Sequence, residues 1–511
     1  MTMDRREFLR RVAAGGTIVT MPAWLQGCGV QPAQMLRNTP PEDPYLAAFG
    51  IDEPRIRGLM SRLTSGGADI ADIYFQQART TRLTLRDGVP GDPRVDVRTG
   101  AGMRVIRGAE AGFAFTEDLT GEALANTARQ ASLGSGEPAV PAPLQSRPAG
   151  DLYPVDTLWS EVGLVARAAV LETVDVLAKA SDPSISRVVV DWHDVDEEVL
   201  IATLDGDIVS DRRPMTGITV IVTATRNGAV QSGFATIAAR AGLDWYTDER
   251  LAELVRTAVD RAVVQFEARR VPTGEMPVIL AAGESGVILH EAVGHLFEGD
   301  FVADGVSPLA DRLGEKVASE HVSLVDDPAM SQERGALNVD DEGSPATRTQ
   351  LIESGIVSAF LHDRRTALAA GVAGAGSGRR ESYRHVPMPR MSCTFLENGP
   401  HSKDEIIASV DKAIVCETFP EGGADIGSGE FVFDVKNGWL VENGRVTAPV
   451  KDFRIEGNGA DLLRNISMVA DDGRMDPGGW ICGKKGQRVP VSQGMPTVLV
   501  DSLMVKTKEG Q

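Results

Sequence analysis

At 511 residues, 42% hydrophobic and 5% aromatic, the chain has the composition of an ordinary globular protein, long enough for roughly two to four domains. Its 52 Lys and Arg stand against 72 Asp and Glu, a net charge of −20, which favours solubility and argues against a dedicated nucleic-acid binder. The four cysteines, Cys28, Cys393, Cys416 and Cys482, form neither a Cys-x-x-Cys pair nor a dense disulfide pattern. With separate roles for Cys28 and Cys482, Cys393 and Cys416 remain. They form a disulfide or, the favoured reading, pack singly as small buried hydrophobes.

The N-terminus reads as an address. Asp4-Arg5-Arg6-Glu7-Phe8-Leu9-Arg10 has the paired arginines and following Phe-Leu of a twin-arginine signal. The apolar segment 12–24 is broken by Gly15, Gly16 and Pro22 and falls short of the about 20 apolar residues of a membrane span. Leu25-Gln26-Gly27-Cys28 resembles a lipoprotein cleavage box with Cys28 as the acylated residue, although Gln26 is not the small residue usual there. The expectation is export by the twin-arginine route to the periplasm or cell envelope, with a lipid anchor at Cys28. The alternative is a basic amphipathic N-terminus retained on a cytoplasmic protein. Residues 1–28 are then signal and 29–44 a Pro-rich tether.

A first folded section, 45–150, predicts a helix at 54–63, paired strands at 71–77 and 81–86, and a second pair at 100–107 and 110–116 around Gly108-Ala109. A helix at 120–132 follows, capped by Thr120, and then a Pro- and Gly-rich loop. The second section, 151–270, predicts a helix at 160–181 and strands at 185–194, 197–203 and 208–213. A hairpin of 215–226 and 229–238 across Asn227-Gly228 leads to a helix at 248–268. Helix, several strands, helix is an α+β order rather than a parallel-sheet one. The last section, 271–511, reads as mainly β, with a barrel as its candidate closure and one helix at 283–295.

That helix carries His290-Glu291-Ala292-Val293-Gly294-His295. Neutral imidazoles hold Zn²⁺, and a neighbouring carboxylate handles a metal-activated water. In the usual His-Glu-x-x-His form the histidines lie one turn apart on one face. Here they are five residues apart, which places them about 140° apart on a regular helix, too far to share one ion. A π-bulge would absorb the extra residue, and Gly294 would ease the distortion. On spacing alone, a metal site and an apolar helix with two incidental histidines are balanced readings. Glu291 by itself is a general base or a solvated helix residue, and Cys482 by itself reads more readily as a buried structural cysteine than as a ligand.

The stretch His290-Glu291-Ala292-Val293-Gly294-His295-Leu296-Phe297-Glu298-Gly299-Asp300 resembles the signature of the TldD/TldE (TldD/PmbA) metallopeptidase family. So, in order, do Asp340-Asp341-Glu342-Gly343, Gly378-Arg379-Arg380-Glu381-Ser382-Tyr383, Pro387-Met388-Pro389-Arg390-Met391, the glycine-rich 422–431 and Cys482-Gly483-Lys484-Lys485-Gly486-Gln487. The likeness is to the TldD-like, metal-binding branch.

The resemblance implies zinc held by His290, His295 and Cys482, with Glu291 as general base, in a peptidase that acts on peptides or unfolded segments. It implies a dimer enclosing the active site, either a homodimer or a heterodimer with a TldE-like subunit. Arg379, Arg380 and Tyr383 are candidates for substrate binding or oxyanion stabilisation, with a structural ion pair and a packed tyrosine as equal alternatives. Gly429, Glu430 and Phe431 belong to a stretch whose β-prone end, Phe431-Val432-Phe433, offers an edge to an extended peptide. Glu298 and Asp300 either orient the histidines or act as caps and surface charges. Asp340, Asp341 and Glu342 read as a turn or salt bridge rather than a calcium loop, and the remaining histidines as ordinary residues. The rival functions are a non-catalytic partner or scaffold subunit, which the intact motif argues against, and a regulator of DNA gyrase, an older label of the family, which the acidic charge and export signal argue against.

Overall fold

The computed structural model describes residues 44–134, 136–374 and 376–508. The predicted signal, Cys28 and nearly all of the tether lie outside them. Among the described residues no helix is long and apolar enough to cross a membrane.

Helix α1 (Glu53–Leu63) starts where the Asp52 side chain accepts a hydrogen bond from the Arg55 N–H at 2.8 Å. It turns Ile56, Leu59, Met60 and Leu63 inward at the spacing of one helical face. Strands β1 (Ile70–Arg86), β2 (Arg94–Arg107) and β3 (Glu110–Thr116) follow, then α2 (Gly121–Ala131), capped by Thr120 as expected. Next come α3 (Leu164–Ser181), β4 (Ile185–Thr203), β5 (Asp207–Arg212), β6 (Met215–Arg226), β7 (Ala229–Ala239) and α4 (Asp248–Val263). Asn227 and Gly228 both have positive φ, 51° and 83°, which gives the tight turn between β6 and β7 the hand that matches the twist of its strands.

All these strands join one nine-stranded sheet, so the sections 45–150 and 151–270 share it. Two predicted strand pairs are single strands: 71–77 and 81–86 are both β1, and 185–194 and 197–203 are both β4. No Gly, Pro or Asn stands at 78–80 or 195–196 to turn the chain, and β1 pairs with β4 without interruption from Asp72↔Thr203 to Arg86↔Val189. At roughly 3.3 Å per residue β1 is about 56 Å long, enough to underlie two helix layers. Ile73, Phe75, Leu200 and Ala202 pack with α1 and α2, while Leu83, Leu85, Val190 and Trp192 pack with α3 and α4. The intervening residues, Tyr74 and Ile201 among them, face the C-terminal domain.

In that domain β8 (Gly274–Leu280) leads to α5 (Gly286–Ala292), which carries the first histidine. The later strands used below are β9 (Cys393–Leu396), β10 (Lys412–Thr418), β11 (Glu421–Ala424), β12 (Glu430–Val435), β13 (Asn437–Glu442), β14 (Arg445–Lys451), β15 (Phe453–Asn458), β16 (Ile481–Lys484), β17 (Gln487–Pro490), β18 (Ser492–Met495) and β19 (Val498–Thr507). The larger sheet runs β14-β13-β10-β8-β19-β15-β12-β11, with Arg269–Arg270 beyond β14 and Ile466–Val469 also on β19. It is mixed and open, with β11 unpaired on its outer side, so the candidate barrel is not closed. A six-stranded sheet containing β9 and β18 lies across from it. Helix α5 is buried between the two, against β9 and β18 on one side and β11 and β12 on the other. Cys393 and Cys416 are buried free thiols.

Candidate metal centre

Helix α5 does not run to His295. It ends at Ala292; Val293 leaves helical geometry at φ −124°, ψ −50°, and a 3₁₀ turn covers Gly294–Phe297. The extra residue of the motif is therefore absorbed by a break and a tighter turn, not by the π-bulge anticipated above. A 3₁₀ turn advances more degrees per residue than an α-helix, which swings the second imidazole back toward the first. Gly294 contributes space: a β-carbon there would lie 2.2 Å from the Met391 sulfur. The two imidazoles meet edge to face, with ring centroids 5.2 Å apart.

Cys482 arrives from 187 residues away on the hairpin of β16 and β17. Its Sγ lies 3.4 Å from His295 Nε2, and the ligand atoms of His290, His295 and Cys482 all fall within 4.8 Å of one another. Tetrahedral zinc with a thiolate and an imidazole needs about 3.5 Å between such atoms. His290 is 1% exposed, yet among the described residues neither of its ring nitrogens has a hydrogen-bond partner. A buried polar ring left without a partner among two further soft ligands fits a metal ion, and the donor set of two imidazoles and one thiolate fits zinc.

The surrounding charges support ligation. Burial alone would raise the Cys482 thiol, but the His290 charge and the contacts of both imidazoles bring it down to about 4, toward the thiolate a metal requires. Glu298 is fully buried and would be pushed up, but His295, Lys484 and Arg390 hold it at about 2. Its Oε2 accepts from His295 Nδ1 at 2.8 Å, which leaves Nε2 facing Cys482, and lies 2.9 Å from Lys484 Nζ. Arg390 donates to the Cys482 carbonyl at 2.7 Å. Lys484 also binds Asp300 at 2.6 Å, so Asp300 fixes the hairpin rather than a histidine. Glu291 lies on the ligand side, 28% exposed, with Oε2 3.7 Å from His295 Nε2.

Lys484 and Arg390 were not singled out from the sequence. The signal for Lys484 is its place two residues after Cys482, which on a strand puts both side chains on one face. Both are indeed buried while Ile481 and Gly483 are exposed.

Arg379, Arg380 and Tyr383 are brought to the contact between domains. Arg379 donates to the carbonyls of Met391 and Pro490, each at 2.6 Å, and so ties the metal hairpin to the chain beneath Gly294. Arg380 pairs with Asp72 at 2.8 Å and stacks over Tyr74. Tyr383 is buried against Tyr74, Val199 and Ile201. Arg380 is thus in an ion pair, Tyr383 is packed, and Arg379 bonds backbone carbonyls. The acidic cluster belongs to the same contact. Arg104 bridges Asp72 and Glu342 at 2.5 Å each, Asp341 pairs with Arg213 at 2.5 Å, and Asp340 accepts from the N–H groups of Glu342, Ser344 and Gly378.

Gly429 occupies a turn at φ 74°, Glu430 begins β12 with an exposed side chain, and Phe431 is 2% exposed in the core. The Phe431-Val432-Phe433 segment is not an edge, because β12 is paired with β11 on one side and β15 on the other. The free edge is β11, Glu421–Ala424. Long-range pairing decides which of two adjacent strands is outermost, and local composition does not encode it.

Comparison with known proteins agrees with this architecture. Residues 71–133, 159–266 and 273–507 match the PmbA/TldA metallopeptidase domain 1, central domain and C-terminal domain, respectively. The "Metalloprotease TldD homolog" of Haemophilus influenzae is 36% identical over 451 residues, covering 86% of this chain and 92% of that protein. Two solved structures share the fold. One is a Thermotoga maritima protein described as a candidate modulator of a DNA gyrase, with TM-score 0.71, 24% identity, 86% of this chain and 96% of that one. The other is TldE from Thermococcus kodakarensis, with TM-score 0.69, 19% identity, 88% of this chain and 99% of that one. This chain is a member of the TldD/PmbA metallopeptidase family.

Proposed function

We propose that the protein is a zinc-dependent peptidase that cuts peptides or unfolded protein segments at the His290, His295 and Cys482 centre. The carrying observation is that three ligand-type atoms converge within 4.8 Å while the buried His290 ring nitrogens have no hydrogen-bond partner among the described residues. When bound there, zinc supplies a Lewis acid that polarises a peptide carbonyl and acidifies water. Glu291, on the ligand side and open to solvent, takes the proton of the attacking water and passes it to the departing amine. Glu298 and Lys484 keep His295 in the tautomer that presents Nε2.

The substrate's route follows from the free edge. β11 is the outer strand of the larger sheet and packs beside α5, so an extended peptide pairing with it would run alongside the motif helix. Recognition by main-chain hydrogen bonds favours flexible chains and spares folded ones. The TldE-like fold supports an assembly with a second family member, as a homodimer or with a TldE-like subunit.

The test is metal analysis of purified protein together with digestion of a peptide library. One zinc per chain and cleavage of unfolded chains in preference to folded ones are expected; protein that neither holds zinc nor cuts any peptide overturns the reading. We also propose twin-arginine export with a lipid anchor at Cys28. Arg5→Lys with Arg6→Lys then strands the protein in the cytoplasm, and Cys28→Ala releases it from the membrane fraction. Unchanged fractionation of both variants refutes it.

A further inference from the structure

A cleft of about 210 Å³ lies where the nine-stranded sheet meets the C-terminal domain. Phe234, Thr219 and Thr236 of β6 and β7 form one wall, and Phe419 and Trp480 form the other. The loop before Trp480 closes it. Gly478 and Gly479, both near φ +108°, lie so close to β7 that a β-carbon on either would come within 2.7 Å of Ala238 or Thr236.

Three parts of the metal centre start from this cleft. Glu284, at its floor, precedes α5 and is six residues before His290; Phe419 precedes the free edge β11; and Trp480 is two residues before Cys482. Trp480 also packs against the small cluster that contains Cys482. Two extended residues span roughly 7 Å. The cleft therefore adjoins the elements that carry His290 and Cys482.

Its charges are compensated. Glu284 pairs with Arg261, and Asp476 accepts from the Trp480 indole N–H at 2.5 Å and from Gly478 N–H at 3.0 Å. Burial, with Glu284 nearby, raises the Asp476 carboxyl to about 7, and burial with the charges of Arg334 and Arg82 lowers His193 to about 3, which keeps its ring neutral. Three aromatic walls with no uncompensated charge suit an apolar ring rather than a charged group.

We propose that this cleft is the specificity pocket of the enzyme and takes one aromatic side chain of the substrate, two residues from the cleaved bond. The proposal rests on the peptidase reading above, and equilibrium binding separates the two. Glu291→Gln protein loaded with zinc is titrated with fluorescent hexapeptides in which a single Phe is moved along an otherwise Gly-Ser sequence. One position of Phe tightens Kd roughly ten-fold or more. Thr219→Trp, which fills the cleft, removes that preference, and Phe234→Ala, which takes away one wall, weakens it. Equal Kd for every peptide, or a preference that survives both substitutions, overturns the pocket. Cleavage of the same peptides by protein with Glu291 intact then locates the bond, and a cut not two residues from the preferred Phe overturns the placement. Selective binding without any cleavage leaves the pocket standing and removes the peptidase reading instead.

Discussion

Two buried polar regions of this protein carry the family's sequence blocks, and they differ in how their charges are satisfied. At the domain contact, Asp72, Asp211, Asp341 and Glu342 each have a guanidinium partner, and Asp340 takes three backbone N–H groups. At the centre between α5 and the Cys482 hairpin, His290 is equally buried and its ring nitrogens have no hydrogen-bond partner among the described residues. The first region holds the nine-stranded sheet on the C-terminal domain through these ion pairs. The second is the centre at which we propose that zinc binds. Buried charge serves architecture where its partners are internal, as at the domain contact.

The largest effects that test this contrast come from the ligands. His290→Ala and Cys482→Ala each remove one of three protein ligands, so zinc stoichiometry falls toward zero and cleavage is abolished, while the circular dichroism of the folded sheets persists. Zinc retained by Cys482→Ala at wild-type affinity would place the third ligand elsewhere. Glu291→Gln comes next. Its shape is unchanged but it cannot accept the proton, so zinc stays at one per chain while turnover falls about 10²–10⁴-fold.

The domain contact responds differently. Asp341→Ala removes one of the two ion-pair partners of the buried Arg213, Asp211 remaining, with a cost of about 3–5 kcal/mol read by denaturant unfolding, and zinc binding of the folded fraction is unaffected. If Asp341→Ala loses zinc without losing stability, the separation of the two regions fails. The smallest effect is expected at the support of the metal centre. Glu298→Gln keeps an acceptor for His295 Nδ1 but loses its charge beside Lys484 and Arg390, so zinc affinity drops about 10–100-fold and activity returns with added zinc. Activity that zinc does not restore would give Glu298 a role beyond positioning.

Much of the site was legible because it is local. His290, Glu291 and His295 lie within six residues, and the i,i+5 spacing itself announced that a regular helix would not do. What it could not give was the remedy, because breaking the helix at Val293 rather than bulging it depends on Gly294 fitting against Met391 from a distant segment. Cys482 was reachable only through the family likeness, since the residues around it do not encode where the hairpin lands; Arg379 and Arg390, which tie it down, do so through backbone carbonyls. The roles of Arg379, Arg380 and Tyr383 were open for the same reason: a charge pattern does not say whether its partners are a substrate or a neighbouring domain.

By itself the sequence determined the α+β class, the longer helices, the Asn227-Gly228 hairpin and the helix cap at Thr120, since periodicity and turn chemistry act over a few residues. Tertiary structure alone decided that 70–86 and 185–203 are unbroken strands, that the larger sheet stays open, and that 421–424 rather than 431–433 is its edge. These are outcomes of pairing between strands far apart in the chain. The same local pattern is compatible with several such pairings, and only burial of the shared core selects one.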